Sequence, residues 1–450
     1  MNEALAGAKI LPLLIRLTIP ATAAQLVNAL YSIVDRMYIG HMPGDGTLAL
    51  SAIGLTYPIT MLVAALSCLP GMGGAPLASI ALGKGEVGRA QKYLCNALTM
   101  LLAISVIMTA GCLIFLKPLL ILFGADHSTL PYASQYLTIY LLGTVFVELS
   151  LGLNPFINTQ GYTFIGTMSV VIGAVINIVL DPILIYVLHM GVRGAAIATV
   201  TAQFVSCVWI LHFLSSPRSS IRLCTEDMRP DKEILCTTCA LGISPCTFRV
   251  NESVVVILLN RLLIIYGGAD ANLHLASMAI LSSISQVLFM PLIGIVTGAQ
   301  PLLSYNLGAK NYPRLRETIR YARILSMSCA TLTWAILMFW PELVCMLFTR
   351  NPELTALTKL SMRIMFSTFF VIGMQMINQN AFVAMGNTRY SFLFGIMRKL
   401  LFLVPLALVL PQFIGVWGIY VAEAVSNPLT AVITYVVFER YMQQLKNQLA

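Results

Sequence analysis

The sequence predicts an all-α polytopic membrane protein, with twelve transmembrane helices arranged as two pseudo-symmetric six-helix lobes around a central cavity. Hydrophobic residues make up 58% of the 450 residues and charged residues only 10%, whereas soluble proteins average about 25% charged residues. The apolar runs are long and continuous and do not alternate with a period of two, which favours membrane-spanning helices over strands. A repeat of half the chain length, described below, predicts the two lobes.

The twelve predicted spans follow one another through short connections, with one exception. The longest polar connection, 215–233, is expected to be a cytoplasmic loop between an N-lobe, 1–214, and a C-lobe, 234–450. Each run has the roughly 20 residues that a helix needs to cross a bilayer. The spans are predicted at 12–40, 48–77, 93–116, 131–156, 163–188, 192–214, 234–264, 275–305, 318–340, 354–384, 388–410 and 414–438.

The basic charge of the chain is explained by its topology. The formal charge of +9 comes from 27 Lys and Arg against 18 Asp and Glu, and in a soluble protein it would suggest nucleic acid as a partner. Sorted by alternate connections, seventeen basic residues lie on the side of the N-terminus and three on the other side. Because cytoplasmic loops are enriched in Lys and Arg, both termini are predicted to be cytoplasmic, in a multi-pass protein of the plasma membrane.

A repeat with a shift of about 225 residues relates the two halves. Two parallel repeats of six helices suit a transporter whose substrate lies between two lobes. Among the residues that recur at this shift are Pro20 with Pro245, Pro76 with Pro301 and Gly161 with Gly386.

The run from Val171 to Val187 contains an unusual group of polar residues. Asn177 and Asp181 lie inside an otherwise apolar span, and their spacing of four places both on one helical face. A carboxylate near the middle of such a span costs about 2.5–3.5 kcal/mol, so it normally faces a cavity or a partner and marks a functional site.

Two more polar residues are expected at the same depth. From a helical rise of about 1.5 Å per residue, Asp35, Asp181 and Thr199 each lie roughly 10–12 Å below the outer surface. The repeat gives Asp35 and Asp181 no acidic counterpart in the second half, whereas Glu423 takes the position of Thr199. The sequence therefore predicts a polar site in the outer half of the N-lobe.

Three segments carry a family resemblance: DRMYIGHM from Asp35, INIVLDPILIY around Asp181, and GVRGAAIAT ending at Thr199. With the six-plus-six plan, they resemble the multidrug and toxic compound extrusion (MATE) family, particularly its DinF-like branch. The resemblance covers essentially the whole chain, and the Asn-xxx-Asp-Pro stretch is its most specific part. It implies a cation-coupling site in the N-lobe formed by Asp35, Asn177, Asp181, Thr199 and Tyr31.

The resemblance also implies an activity. A chain of that family is expected to be a secondary active multidrug efflux transporter, which exports cationic or amphiphilic organic compounds in exchange for protons, or for Na⁺, by alternating access. Two nearby carboxylates disfavour double ionisation, so one member of the Asp35 and Asp181 pair is expected to take up a proton. Na⁺ would be the only metal expected, bound by Asp35, Asn177, Asp181 and Thr199, and no cofactor is expected.

The expected partners are small organic cations and membrane lipids, without nucleic acid, and the chain is expected to be a monomer. A substrate cavity is predicted from polar residues inside the spans. These residues are Gln25, Asn28, Asn154, Gln203, Glu252, Gln286, Gln375 and Asn378.

Purely structural roles would also explain the acids. Asp35 would be explained by a salt bridge with Arg36 or with another cation near the outer interface, and Asp181 by a buried hydrogen bond between helices. Glu252 has Arg249 three residues before it, so a local ion pair is at least as good an explanation as a ligand role.

Other functions fit the sequence less well. The alternative is a lipid-linked precursor flippase of the same superfamily, which would favour a cationic cavity. A receptor or channel would not explain acids confined to one half. An enzyme is not expected, because the sequence has no P-loop, no Ser/His/Asp order and no zinc signature, and Cys236, Cys239 and Cys246 lack a second pair or a histidine cluster. The cations that are consistent with the flippase alternative are Arg249, Arg261, Arg363, Arg398 and Lys399.

Overall fold

The computed structural model describes residues 2–42, 46–346, 348 and 351–449, most of which are helical. The chain divides into two compact units. Unit 1 comprises Met1–Ala8 and Ile19–Cys246, and unit 2 comprises Lys9–Thr18 and Thr247–Ala450. Unit 1 therefore includes the whole connection 215–233 and the residues up to Cys246, and the predicted lobe boundaries stay a prediction.

Unit 1 is built from helices joined by tight connections. The helix α2 reaches unit 1 from Ile19 onwards, and α9 continues into a π-helix, Ile183–Val187. The helices are α1 (Asn2–Gly7), α2 (Ile10–Gly40), α3 (Gly46–Leu66), α4 (Cys68–Gly83), α5 (Val87–Ile114), α6 (Leu116–Leu122), α7 (Leu130–Leu142), α8 (Thr144–Thr159), α9 (Thr163–Pro182) and α10 (Val192–Ser215).

Unit 2 has the same all-helical character. The helix α11 begins in unit 1 and continues into unit 2 after Cys246, and a π-helix, Met397–Leu403, joins α17 to α18. The helices are α11 (Lys232–Tyr266), α12 (Ala271–Gly308), α13 (Tyr312–Phe339), α14 (Pro341–Met346), α15 (Pro352–Met365), α16 (Ile372–Ala384), α17 (Thr388–Ile396), α18 (Val404–Val409), α19 (Pro411–Ile414) and α20 (Trp417–Leu449).

The helices confirm the prediction of a multi-pass membrane protein. Within the described residues, nine helices are long and apolar enough to span a membrane. Two bent pairs, α7 with α8 at 56° and α15 with α16 at 45°, raise the number to eleven if each pair is one span. The predicted seventh span, 234–264, corresponds to the 35-residue α11, whose shorter apolar section is Val254–Tyr266.

The connection 215–233 is held by hydrogen bonds to other segments of unit 1. Its polar composition does not reveal these bonds. Asn96 of α5 donates to the carbonyl of Asp227 at 3.4 Å and accepts from the amide of Asp231 at 2.9 Å. The Gln160 carbonyl oxygen accepts from the Ser220 amide at 2.7 Å. A short 3₁₀ helix, Thr225–Met228, lies within this segment. The predicted loop is thus an ordered segment that is hydrogen-bonded to Asn96 of α5 and to Gln160 after α8.

Glycines allow α4 and the beginning of α11 to pack backbone against backbone. A Cβ on Gly73 would lie 2.2 Å from the carbonyl oxygen of Thr238, and a Cβ on Gly242 would lie 2.2 Å from that of Leu69. Close helix packing in membranes depends on small residues at such positions. Here the obstacles are backbone atoms, which cannot rotate away.

We expect Gly73→Ala to destabilise the protein by about 1–3 kcal/mol, the usual cost of overpacking. Gly88→Ala is the matched control, because it also changes a helical glycine but would meet no atom within 4 Å. It should be neutral or stabilising by up to about 1 kcal/mol. Unfolding in detergent would measure both, and equal stabilities of the two variants would contradict this packing.

Candidate functional site

Three of the predicted site residues meet where α9 packs against α10. Asn177 and Asp181 lie one turn apart on α9, and both side chains are completely buried. In the amide orientation that satisfies its donor and acceptor, Asn177 donates to Asp181 Oδ2 at 2.9 Å and accepts from the Thr199 backbone amide at 3.3 Å. The fifth and sixth predicted spans are therefore joined at the level of the polar group.

The helix α2 adds Asp35 and Tyr31 to this group. The carboxyl group of Asp35 lies close enough to that of Asp181 to interact with it directly, and Tyr31 lies beside Thr199. Asp35 Oδ1 is shielded from solvent and has no partner within the described part of the chain. All five predicted cation-coupling residues thus lie in one cluster, which we call the N-half site.

The contact between Asp35 and Asp181 has a chemical consequence. An ionised carboxylate only accepts hydrogen bonds, so a hydrogen bond between two carboxyl groups requires one proton between them. Two adjacent buried carboxylates that were both ionised would repel each other in a medium of low dielectric constant. This arrangement therefore suits one proton and one negative charge.

Arg36 does not form the salt bridge with Asp35 that was considered from the sequence. Its guanidinium carbon lies 5.8 Å from the ring centre of Tyr57, and its side chain belongs to an exposed residue. Among the ion pairs of the described residues, none joins Arg36 to Asp35. The Asp35 charge is therefore not compensated by direct contact with its neighbour in sequence.

Tyrosines of α7 extend the N-half site, and sequence reasoning missed them. Tyr136 lies beside Thr199, and its ring is stacked on Tyr140, with 6.3 Å between ring centres and 13° between planes. Their spacing of four in the predicted fourth span was the available signal. A second residue missed from the sequence, Glu148, is discussed below.

The predicted cavity residues of unit 1 are partly used in bonds between helices. Gln203 accepts from the Ser150 hydroxyl at 2.5 Å, and Asn154 donates to the carbonyl of Gly166 at 2.8 Å. Gln25 is half-buried, whereas Asn28 is exposed. Gln203 and Asn154 thus act as packing contacts of α8, and they are not part of the N-half site.

The predicted cavity residues of unit 2 do not form one group either. Gln375 donates to Gln379 at 2.7 Å, Asn378 accepts from Arg323 Nε at 2.7 Å, and Gln286 is exposed. Glu252 belongs to a separate group of charges. The substrate cavity formed from these residues stays a prediction.

Glu252 forms ion pairs with residues far from it in sequence. Arg398 Nη2 lies 3.4 Å from Glu252 Oε1, and Lys399 Nζ lies 3.7 Å from Glu252 Oε2. Glu423 Oε1 lies 3.4 Å from Arg398 Nη1 and 3.5 Å from Lys399 Nζ. We call these four residues the C-half charge cluster.

The π-helix Met397–Leu403 carries both cations of this cluster, which are almost completely buried. The two positive and two negative groups of the cluster cancel, so Glu252 and Glu423 already have tethered counter-ions. The side chain of Arg249, considered as a partner of Glu252, lies outside the described side chains.

The described cysteines are all free thiols. Cys236 is exposed, whereas Cys239 and Cys246 are half-buried. Over the part of the chain that the structure describes, no group of three or more His, Cys, Asp or Glu side chains is arranged to hold a metal ion.

A comparison with protein families identifies one match. The profile of the MatE family matches residues 20–183 and 250–409. The two ranges together cover well over half of the chain, and they lie one in each half of the predicted repeat.

Full-length relatives include named transporters. The chain is 25% identical over 422 residues to "Multidrug export protein MepA" of Staphylococcus haemolyticus, which covers 93% of this chain and 92% of the relative. It is 22% identical over 449 residues to "FAD transporter" of Shewanella oneidensis, with 99% and 98% covered.

Solved structures share the fold. One, described as the outward-facing conformation of a multidrug resistance MATE family transporter of the MOP superfamily, superposes with a TM-score of 0.91 at 23% identity, covering 99% of this chain and 98% of that one. A crystal structure of MATE in the bent conformation has a TM-score of 0.92 at 23% identity, covering 100% and 98%. These likenesses confirm the predicted fold class.

Proposed function

Because the chain belongs to the MatE family, we propose that it exports cationic organic compounds in exchange for protons that bind at Asp35 and Asp181. As a member of this family it is a multidrug efflux transporter and not an enzyme. Antiporters of the family use H⁺ or Na⁺, and the proton is the more specific assignment that we propose.

The contact between the two carboxyl groups carries this proposal. Asp35 and Asp181 lie close enough to interact directly, and a hydrogen bond between their carboxyl groups needs one proton. Asn177 donates to Asp181 Oδ2, so the remaining negative charge is stabilised by a fixed dipole. A second proton or an organic cation would neutralise that charge, and the two therefore compete.

Competition of this kind is sufficient for exchange. A proton that arrives from the outside removes the negative charge of the pair and weakens its attraction for a cationic substrate, which then leaves. Proton entry is downhill, because each charge moved through 100 mV of membrane potential supplies about 2.3 kcal/mol. Loss of the proton to the cytoplasm restores the charge and the affinity for the next substrate.

Na⁺ is the competing assignment for the same residues. Two carboxylates, an amide and a hydroxyl are oxygen ligands of the kind that hard cations prefer. The direct contact between Asp35 and Asp181 favours the proton, because a cation held by both carboxylates would lie between them.

The assignment to a branch of the family rests on the same residues. We propose the DinF-like branch on the strength of Asp35, Asn177, Asp181 and Thr199.

The coupling ion is tested in proteoliposomes that contain the purified protein and a fluorescent organic cation. With a pH gradient and no Na⁺, the cation is expected to accumulate in the more acidic compartment, because protons leave that compartment in exchange. A Na⁺ gradient at equal pH should produce no accumulation above protein-free liposomes. Accumulation with the Na⁺ gradient alone would overturn the assignment.

The flippase alternative is disfavoured by the C-half charge cluster. A phosphate-binding cavity needs uncompensated cations, whereas Arg398 and Lys399 are each paired with Glu252 and Glu423. We further propose a monomer in the plasma membrane with both termini in the cytoplasm, as the distribution of Lys and Arg predicts.

A further inference from the structure

Glu148 is a buried carboxyl group that the N-half site does not include. It lies on α8, the second helix of the bent pair, and none of its surface is exposed. Both carboxyl oxygens are inaccessible to solvent, and neither has a hydrogen-bond partner among the described residues. An ionised carboxylate in such surroundings is very unfavourable, so the pocket accepts the protonated, neutral form.

The helices around α8 bring no cation to Glu148. Helices α3, α4, α5, α7, α9 and α10 pack against α8. Of their titratable side chains, Tyr140 is the one close enough to interact electrostatically with Glu148. The side chains considered are Tyr57, Cys68, Arg89, Lys92, Tyr93, Cys95, Cys112, Tyr132, Tyr136, Tyr140, Asp181, Arg193, Cys207 and His212.

Tyr140 places Glu148 near the N-half site. Tyr140 is stacked on Tyr136, and Tyr136 lies beside Thr199 and close to Asp35. Along α7 and α8, Glu148 lies farther from the connection 123–129 than either tyrosine. The neighbouring side chains Tyr136 and Tyr140 therefore connect the N-half site with Glu148.

We propose that Glu148 is a second proton-binding site of unit 1, which exchanges its proton with the N-half site during transport. This inference rests on the proposed proton coupling. In the exchange, the O–H bond of the protonated aspartic acid breaks and an O–H bond forms on the Glu148 carboxylate. The negative charge moves from Glu148 to the aspartates, and the number of protons is unchanged. Glu148 has by then given its own proton to the cytoplasmic side, and the aspartic acid reprotonates it at once, so the ionised state of Glu148 exists only in passing.

The first test observes the proton directly by infrared spectroscopy of the purified protein. The wild type is expected to show a carbonyl stretch of a protonated carboxylic acid that is absent from Glu148→Gln and that changes when the organic cation is added. Glu148→Asp keeps a carboxyl group and should retain such a band at a shifted frequency. An identical spectrum for wild type and Glu148→Gln, or a band that never responds to pH or to the cation, would overturn the proposal.

The second test measures protons released into weakly buffered solution when the organic cation binds. Glu148→Gln should release the same number of protons per bound cation as the wild type but about a hundredfold more slowly, because a positioned proton-transfer group is lost. Equal rates of release would mean that Glu148 has only a packing role. Failure of the proposed function has a different signature, because the wild type would then show no pH-driven accumulation while the infrared band of Glu148 was still present.

Discussion

Asp181→Asn is expected to lower pH-driven accumulation of the organic cation by at least about tenfold, a typical size for a coupling free energy between two ligands. The side chain is nearly isosteric, and its oxygen can still accept the hydrogen bond that Asn177 donates to Asp181 at 2.9 Å. What is lost is the group that holds the proton and the charge. Binding of the cation in detergent and uptake in proteoliposomes measure the two losses separately.

The matched control is Asp270→Asn, which makes the same chemical change at an exposed position whose side chain forms no cap hydrogen bond. It should transport like the wild type. Asp35→Asn should behave like Asp181→Asn, because both acids are needed to hold one proton and one charge. Full pH-driven accumulation in Asp181→Asn, with normal expression, would remove this pair as the coupling site.

The N-half site was predictable because its parts follow local rules. The spacing of Asn177 and Asp181 places them on one face of a helix, and the cost of a carboxylate in an apolar span marks it as functional. Asp35 and Thr199 came from depth and from the family resemblance. The close approach of Asp35 to Asp181 was not predictable, because it depends on how α2 packs against α9.

Glu148 was not among the site residues predicted from the sequence. A single carboxylate in the run TVFVELSLG carries the same cost as Asp181, so the signal was present. The polar residue one turn before it, Thr144, completes no motif with it, and the resemblance assigns Glu148 no role. Only the structure reveals that both of its oxygens lack partners among the described residues.

Contacts between distant segments account for the other differences. Glu252 was considered with Arg249, its neighbour on the same helix, and the structure pairs it with Arg398 and Lys399. The connection 215–233 was expected to be a polar loop, whereas hydrogen bonds with Asn96 and Gln160 hold it against unit 1. Both cases depend on which helices become neighbours, and single-sequence patterns do not report that.

The two halves also differ in how they balance their acids. In the N-half site the aspartates form no ion pair with any described residue, so a mobile cation or proton must supply the positive charge. In the C-half charge cluster, Arg398 and Lys399 supply it permanently. We therefore propose that exchange is confined to one half of the repeated fold.

Lys399→Met is expected to destabilise the protein by about 3–5 kcal/mol, because removing one partner leaves buried negative charge uncompensated. The Lys399 and Glu423 side chains are about 11% and 10% exposed, so water cannot replace the ammonium group. Lys359→Met is the matched control. It also removes a lysine from an ion pair of unit 2, but its partner Glu342 is 63% exposed, and such pairs contribute about 1 kcal/mol or less.

Adding Glu423→Gln to Lys399→Met should recover much of the lost stability, since the double variant removes a charge of each sign. Denaturant unfolding in detergent at neutral pH measures the whole cycle. If Lys399→Met were as stable as the wild type, Glu423 or Glu252 would have to bind a proton in place of the lysine. The C-half would then be able to exchange a proton once its tethered cation is removed, and the confinement of coupling to the N-half would depend on Lys399 alone.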